Sequence, residues 1–199
     1  MLNNEQILQR FENNEWILRT NLFIGKNVTF VLDGDEVSWL KLKSDSNGFV
    51  YLKSHNGNIL INNVKITSWN ETEKTPDINY KDGRSFILAK YSGRMDIINS
   101  ELAFLGYRGN PAQGQPIGGL YGVAWKISND SFKEYLITGN ARNSKFHDNY
   151  FGIYAYGATG MIIANNEVYS NLEYGIDPHD DSNNLLIKDN QVYGNGNHG

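Results

Sequence analysis

The chain contains no cysteine, few prolines, no long apolar run and no excess of basic residues. Without cysteine, disulfides and cysteine-ligated metal sites are excluded. The absence of cysteine fits an oxidising compartment as well as a reducing one. No apolar stretch approaches the roughly 20 residues of a transmembrane helix, and residues 1–10 are too polar for a signal peptide. Lys and Arg number 18 against 22 Asp and Glu, and the formal charge of −4 argues against a general nucleic-acid-binding protein.

Turn-forming residues dominate what is present, with 27 Asn and 20 Gly in a chain of 199 residues. Because 40% of the residues are hydrophobic, we expect one ordered all-β domain over residues 1–199, built from many short strands. Only residues 3–13 have a helical pattern, in which Ile7, Leu8 and Phe11 share one face after an asparagine N-cap. We expect this short helix to cap the N-terminal edge of the fold.

An internal repeat narrows the choice among all-β folds. Asn or Asp recurs three residues before an apolar residue, at intervals of 36, 44, 22 and 24 residues. The polar positions of this column are Asn63, Asn99, Asn143, Asn165 and Asp189, and the apolar ones are Ile66, Leu102, Phe146, Val168 and Val192. Two further columns recur in phase, namely Asn149, Asn171 and Asn195, and Gly122, Gly152, Gly175 and Gly199.

A period of 22 to 24 residues made of short strands and turns predicts a parallel β-helix with one coil per repeat. Leucine-rich repeats would need a leucine ladder, and a propeller blade would need about 40 residues. The longer intervals then hold loops at 72–84 and 108–119, and about eight coils would fit the length. Since Gly199 stands where another strand would begin, we expect the chain to be truncated at its C-terminal end.

The densest group of chemically active residues lies at 174–182, around Asp177, His179 and Asp180. Alternation along a strand predicts that Asp177 and His179 project outward on one face. Counting from the aligned glycines, Tyr154 shares a column with Asp177, whereas Tyr156 and Lys126 share a column with His179. We therefore expect one face that carries all five residues, with Tyr174 leaning over it from the preceding turn.

A cation, two aromatic rings, a carboxylate and an imidazole on a shallow sheet suit a sugar chain that bears carboxylates. A structural interpretation stands beside this one, because a histidine next to an aspartate often makes only a structural hydrogen bond, and stacked tyrosines are common on β-helix surfaces. No cofactor is expected. Asp177, Asp180 and Asp181 could hold a calcium ion, although their spacing matches no calcium loop.

The motif Tyr-Gly-Ile-Asp-Pro-His-Asp at 174–180 resembles the signature of mannuronan C5-epimerases, which act on alginate. The resemblance is closest to the periplasmic branch of that family and covers roughly residues 60–199. Weaker pieces fit in order, namely Asp-Gly-Arg-Ser-Phe at 82–86, Asn-Ser at 99–100, Leu-Gly-Tyr at 105–107, Tyr-Gly-Val at 121–123 and Tyr-Phe-Gly-Ile-Tyr at 150–154. The resemblance implies a right-handed, pectate-lyase-like parallel β-helix located outside the cytoplasm, in the periplasm or secreted.

The resemblance also implies roles for individual residues. His179 matches the base that removes the C5 proton, Tyr174 matches the acid of some family members, and Asp177 and Asp180 match acidic residues needed at the site. The family carries an arginine after the position of Gly199, where this chain ends, so Lys126 and Arg108 become the candidates that neutralise the substrate carboxylate. Together with Tyr154 and Tyr156, they form the expected set of substrate-binding residues.

Epimerisation of mannuronate to guluronate is the function that this resemblance implies. A polysaccharide lyase is the closest alternative, because it shares the first proton abstraction and then expels the 4-O sugar by β-elimination. A third alternative is a non-catalytic carbohydrate-binding or structural β-helix. The expected partner is an anionic polysaccharide such as alginate in the first two cases.

Overall fold

The computed structural model describes residues 4–109, 120–127 and 135–199, with side chains from residue 6 onward. In these residues the chain winds as a parallel β-helix whose wall consists of three sheets. Six successive coils each contribute one strand to every sheet, and β2 of the first sheet precedes them. The predicted eight coils are too many, because excursions such as residues 72–84 use chain length without completing a coil.

The strands alternate among the three sheets as the chain winds. Sheet A contains β1 (Leu8–Arg10), β2 (Glu15–Leu18), β5 (Trp39–Asp45), β9 (Lys65–Asn70), β13 (Glu101–Ala103), β16 (Lys145–His147), β19 (Glu167–Tyr169) and β22 (Gln191–Tyr193), with β6 (Gly48–Phe49) and β10 (Thr75–Pro76) paired antiparallel at its side. Sheet B contains β3 (Leu22–Ile24), β7 (Tyr51–His55), β11 (Phe86–Lys90), β14 (Gly122–Lys126), β17 (Phe151–Tyr156) and β20 (Ile176–His179). Sheet C contains β4 (Thr29–Asp33), β8 (Asn58–Asn62), β12 (Gly93–Ile98), β15 (Ile137–Arg142), β18 (Ile162–Ala164) and β21 (Leu186–Lys188).

The apolar column predicted from the repeat forms the core side of sheet A. Ile66 pairs with Leu102, which pairs with Phe146, and the series continues through Val168 to Val192. The first four of these side chains are fully buried. Because each coil places an apolar residue directly above the previous one, burial accumulates along the axis and the repeat in the sequence becomes a continuous core.

The first asparagine column lies at the turn between sheets C and A. All five of its members have a positive φ, between 51° and 58°. Asparagine tolerates this left-handed conformation better than most residues do, so the column makes the turn possible in every coil. One side chain of this column also bonds to the neighbouring coil, because Asn143 Nδ2 donates to Asn99 Oδ1 at 3.3 Å.

Continuous ladders of side-chain hydrogen bonds run along the coils at two buried turns. The Oδ1 atoms of Asn149, Asn171 and Asn195 accept backbone N–H groups from the preceding coil at 2.9–3.1 Å. Ser100, Ser144, Asn166 and Asn190 form the second ladder in the same way. The sequence pattern indicated the first ladder, whereas the second was missed because its first two members are serines and its last two are asparagines.

The glycine column leaves room for the asparagine ladder. A Cβ atom built on Gly175 would lie 2.7 Å from both Asn195 Nδ2 and Val192 Cγ1. A Cβ atom built on Gly152 would likewise lie 2.8 Å from Asn171 Nδ2 and 2.6 Å from Val168 Cγ1. The two columns recur in phase at these coils because Asn171 packs against Gly152 and Asn195 packs against Gly175.

The predicted N-terminal capping helix over residues 3–13 is wrong. The helix covers only Asn4–Ile7, β1 follows at once, and a 3-10 turn forms at Glu12–Asn14. Strand β1 pairs antiparallel with β2 and thus satisfies the backbone groups of that edge. Leu8 and Phe11 are 40% and 43% exposed, so the apolar spacing that suggested a helix does not correspond to a buried face.

Within the part of the chain that the structure describes, no helix is long and apolar enough to span a membrane. Of the two predicted loops, 72–84 contains β10 and leaves the coil as expected. Most of the other loop, 110–119, lies outside the described residues.

The outer face of sheet A carries charges of alternating sign. Lys65, Glu101, Lys145 and Glu167 succeed one another from strand to strand, with ion pairs of 2.7 Å between the first two and 3.1 Å between the last two. His147 lies beside them, with Nδ1 2.7 Å from Asp148 Oδ2 and Nε2 3.5 Å from Glu101 Oε1. Opposite charges on neighbouring strands stabilise this face.

The pairing of Glu101 with His147 predicts how stability changes with pH. The hydrogen bond from His147, aided by Lys65, lowers the pKa of Glu101 to about 2 despite partial burial. Burial opposes protonation of His147, but the bonds to Glu101 and Asp148 outweigh it and raise the pKa of His147. The contribution of Glu101 to the free energy of unfolding is complete above pH 4.5, the unperturbed pKa, and is lost as the pH falls toward about 2. The contribution of His147 to the same free energy is complete below pH 6.5, its unperturbed pKa, and is lost as the pH rises above that value.

We expect the free energy of unfolding of the wild type to fall by about 1–2 kcal/mol more than that of Glu101→Gln between pH 5 and pH 3. Urea titrations at several pH values would measure this difference. Glu12→Gln, a change at an exposed position, serves as the control and should follow the wild type. Identical pH dependence of Glu101→Gln and the wild type would show that the pairing contributes nothing.

Candidate functional site

The strands of sheet B that carry the candidate site residues pair in the predicted register. Tyr154 pairs with Asp177 and Tyr156 pairs with His179, while Lys126 pairs with Tyr156 from the other side. Parallel strands are about 4.8 Å apart, so Lys126 lies about 10 Å from His179 along the sheet. The coil geometry therefore brings residues from three strands onto one face, as the repeat predicted.

His179 is accessible and lies between two carboxylates. Its side chain is 49% exposed, with Nδ1 3.8 Å from Asp177 Oδ1 and Nε2 3.6 Å from Asp180 Oδ2. Asp177 is mostly buried at 19% exposure, whereas Asp180 is 69% exposed. Burial raises the pKa of Asp177, and the nearby charge of His179 partly offsets this shift. The imidazole thus lies close to a mostly buried carboxylate while remaining open to a ligand.

A second histidine shows what a structural role looks like in the same fold. His147 stacks on Tyr169 with ring centroids 4.7 Å apart, and its side chain is only 13% exposed. A carboxylate lies within hydrogen-bonding distance of its Nδ1. His179 has the same types of neighbour at longer distances and with more solvent access, which favours a chemical role over a structural one.

Tyr154 and Tyr156, which we expected to bind substrate, have buried rings, and this argues against a sugar that stacks on them. Tyr154 is 3% exposed and stacks on Tyr121 with centroids 3.6 Å apart, and Tyr156 is 9% exposed. The ring of His179 lies 5.9 Å from both tyrosine rings. Burial strongly raises the pKa of Tyr154, with further increases from Tyr121 and Asp177, so its hydroxyl stays protonated. These two tyrosine rings therefore lie beside the ring of His179.

Lys126 lies over the rings of three tyrosines. Its Nζ is 5.0 Å from the ring centroid of Tyr156, 5.4 Å from that of Tyr121 and 6.0 Å from that of Tyr154. Partial burial lowers the pKa of Lys126, and the charge of Lys90 lowers it further. The cation is thus held on the outer face, next to the tyrosine that contacts His179.

The contacts found for Tyr174 and Arg108 are with residues other than His179. Tyr174 stacks on Phe151 at 5.2 Å and contacts His198 at 5.3 Å. Arg108 is exposed, and its charge acts on Tyr150. Among the described residues, no ring contact or ion pair joins either of them to His179.

Among the described residues, no three His, Asp or Glu side chains converge closely enough to hold a metal ion. The carboxylates that could bind calcium in the sequence-based hypothesis lie at the C-terminal end of sheet B. The expectation of no cofactor stays a prediction.

The repeated coils match one known sequence family. The profile of the family described as "Right handed beta helix region" matches residues 48–199, about three quarters of the chain. The chain belongs to the right-handed β-helix family. The match covers all of the coils that carry the candidate site, including β14, β17 and β20.

Curated relatives of this β-helix are named mannuronan C5-epimerases. The protein from Pseudomonas fluorescens is 29% identical over 192 residues, which cover 96% of this chain and 35% of the relative. The enzyme from Azotobacter vinelandii, named mannuronan C5-epimerase AlgG, is 30% identical over 182 residues, covering 90% of this chain and 33% of the relative. The chain thus spans about a third of the length of the curated relatives that it matches.

A solved structure supports the same relationship. The crystal structure of the periplasmic alginate epimerase AlgG superposes with a TM-score of 0.85 at 25% sequence identity. The superposition covers 98% of this chain and 45% of that protein. The coil geometry of the β-helix is therefore similar to that of a known alginate epimerase.

Proposed function

We propose that this β-helix acts on a polyuronate and inverts C5 of its mannuronate units, as a mannuronan C5-epimerase. The observation that carries the proposal is the exposed imidazole of His179, which lies between Asp177 and Asp180 on the same face as Lys126. The sequence and structural relatives named as alginate epimerases support the same assignment.

The reaction begins with removal of the proton from C5 of a bound uronate. We assign the Nδ1–H of His179 to Asp177, which leaves Nε2 as the base that accepts the proton. The C–H electron pair moves into the adjacent carboxyl group and forms an enolate-like intermediate. Asp180 lies near Nε2 on the exposed side, where it can accept a hydrogen bond from a sugar hydroxyl.

The growing negative charge on the sugar carboxyl group needs a cation or hydrogen-bond donors. Lys126 supplies a positive charge over the ring of Tyr156, which lies between Lys126 and His179 in the same column. The hydroxyl of Tyr154 stays protonated, and the ring that carries it lies beside the ring of His179. A proton then returns to the opposite face of C5, and no atom is gained or lost overall.

We assign the returning proton to water rather than to Tyr174, and the hydroxide that remains takes up the proton held by His179. The side chain of Tyr174 packs against Phe151 and His198, whereas the open side of His179 is accessible to solvent. The matched relative is described as periplasmic, and we propose the same extracytoplasmic location for this protein, where it would meet an exported polysaccharide.

Incubation of oligomannuronate with the protein in heavy water tests the proposal. We expect deuterium to enter C5 and guluronate signals to appear in the NMR spectrum, because the returning proton comes from solvent. The chain length of the oligomer should stay constant.

Two outcomes would contradict this proposal. New ultraviolet absorbance from unsaturated chain ends would assign the protein to the lyases, since β-elimination breaks the glycosidic bond after the same first step. Binding of oligomannuronate with no exchange at C5 would assign it to the non-catalytic carbohydrate-binding proteins.

A further inference from the structure

The histidine and the exposed carboxylate of the candidate site belong to one β-turn. The backbone N–H of Ser182 donates to the carbonyl of His179 at 3.3 Å, which closes a turn of four residues around Asp180 and Asp181. Asp181 has a φ of 57°, a left-handed value that aspartate tolerates in turns. Because the side chain of Asp180 is 69% exposed, the backbone of this turn sets where its carboxylate lies relative to the imidazole.

Backbone hydrogen bonds tie this turn to the preceding coil. The N–H of Gly157 donates to the carbonyl of Asp180 at 2.9 Å, and the N–H of Asn183 donates to the carbonyl of Ala158 at 2.8 Å. The two bonds lie on either side of Ser182 in the sequence. The turn at 179–182 therefore rests on the turn that follows β17.

The hydroxyl of Ser182 fastens the end of the turn to the same coil. Its Oγ donates to the carbonyl of Ala155 at 3.2 Å and accepts the N–H of Ala158 at 3.4 Å. Ala155 belongs to β17, the strand against which β20 is aligned. One partly buried side chain thus links the end of the turn to the strand that sets the register of His179.

We propose that Ser182 is a positioning residue, which holds the turn so that the carboxylate of Asp180 stays 3.6 Å from Nε2 of His179. This inference rests on the proposed function for the reaction in which the two groups take part. A single hydrogen bond contributes little to stability, whereas a displacement of about 1 Å at a reacting group can lower a rate about 100-fold. Loss of the hydroxyl should therefore affect the chemistry more than the folding.

Kinetics of deuterium incorporation at C5 of oligomannuronate test the positioning role. Ser182→Ala should lower kcat about tenfold or more and change KM by less than about twofold, because Lys126, the proposed contact to the sugar carboxyl group, lies on another strand. Its melting temperature should fall by at most about 4 °C. Ser182→Thr keeps the hydroxyl and should retain at least about a third of the wild-type kcat.

Ser92→Ala is the matched control. Ser92 lies in the turn after β11, where its Oγ accepts the N–H of Leu136 at 3.0 Å. The control thus removes a similar hydrogen bond from a corresponding turn of another coil. Its kcat should stay within about twofold of the wild type, because that turn carries none of the groups assigned to the reaction.

The imidazole signals of His179 in the NMR spectrum of the free protein give a readout that needs no turnover. Ser182→Ala should shift these signals, whereas Ser92→Ala should leave them unchanged. A wild-type kcat in Ser182→Ala, or an equal loss of kcat in Ser92→Ala or Ser182→Thr, would overturn the positioning role. If the wild type shows no exchange at C5, the proposed function fails and the His179 signals decide alone. A shift in Ser182→Ala would then retain Ser182 as the residue that positions the imidazole, and no shift would reject it.

Discussion

Replacement of His179 by glutamine should lower the rate of deuterium incorporation at C5 by about 10²–10⁴-fold. Glutamine keeps a polar side chain of similar size but cannot accept the C5 proton near neutral pH. The side chain of His179 is half exposed and its contacts with the two carboxylates are long, so the melting temperature should change little. NMR of oligomannuronate in heavy water and a thermal melt of the same sample measure both quantities.

His147→Gln is the matched control for this experiment. Both histidines stack on a tyrosine ring and lie between carboxylates, but His147 is on sheet A and largely buried. The control should lose stability and keep its exchange rate per folded molecule. If His179→Gln retained more than a tenth of the wild-type rate, the imidazole would not be the base.

Replacement of Asn171 by alanine should lower the free energy of unfolding by about 3–5 kcal/mol. Asn171 is 2% exposed; its Oδ1 accepts the N–H of Asn149, and its Nδ2 donates to the carbonyl of Phe146 and to Asn195 Oδ1. Alanine would leave these buried partners unpaired and interrupt the ladder between three coils. Urea denaturation followed by circular dichroism would measure the loss.

Asn197→Ala supplies the comparison for the ladder. Asn197 is exposed near the same turns, so its replacement should change stability by at most about 0.5 kcal/mol. A loss below about 1 kcal/mol for Asn171→Ala would mean that coil stacking rests on apolar contacts alone. A loss of similar size in both variants would point to a general effect of asparagine at this end of the fold.

Part of the candidate site could be predicted because a solenoid converts sequence spacing into position. Gly152 and Gly175 are 23 residues apart in the sequence, and counting from them aligned Tyr156 with His179 and Tyr154 with Asp177. Apolar spacing gave a wrong prediction at the N-terminus, where Leu8 has helical spacing but belongs to a strand that pairs with β2. Edge pairing supplies backbone hydrogen bonds that local periodicity does not report.

Other features depend on contacts between side chains from different coils. The sequence marked Tyr154 as outward-facing, which is correct, but not that Tyr121 would stack on it and bury its ring. It singled out Lys126 but not Lys53 or Lys90, because lysines 36 or 37 residues apart form no visible motif. That Lys90 pairs with Lys126, and Lys53 with Leu88, became apparent only from the register.

By itself, the sequence determined the β-helix, its apolar column and the column that contains His179, because in-phase repeats allow one way of stacking. Only the tertiary structure decided which rings are covered, which histidine is open to solvent and, among the described residues, which lysines form an ion pair with a carboxylate. Those properties depend on the contacts that side chains make across coils, and a repeat in the sequence fixes the position of a residue without fixing what covers it.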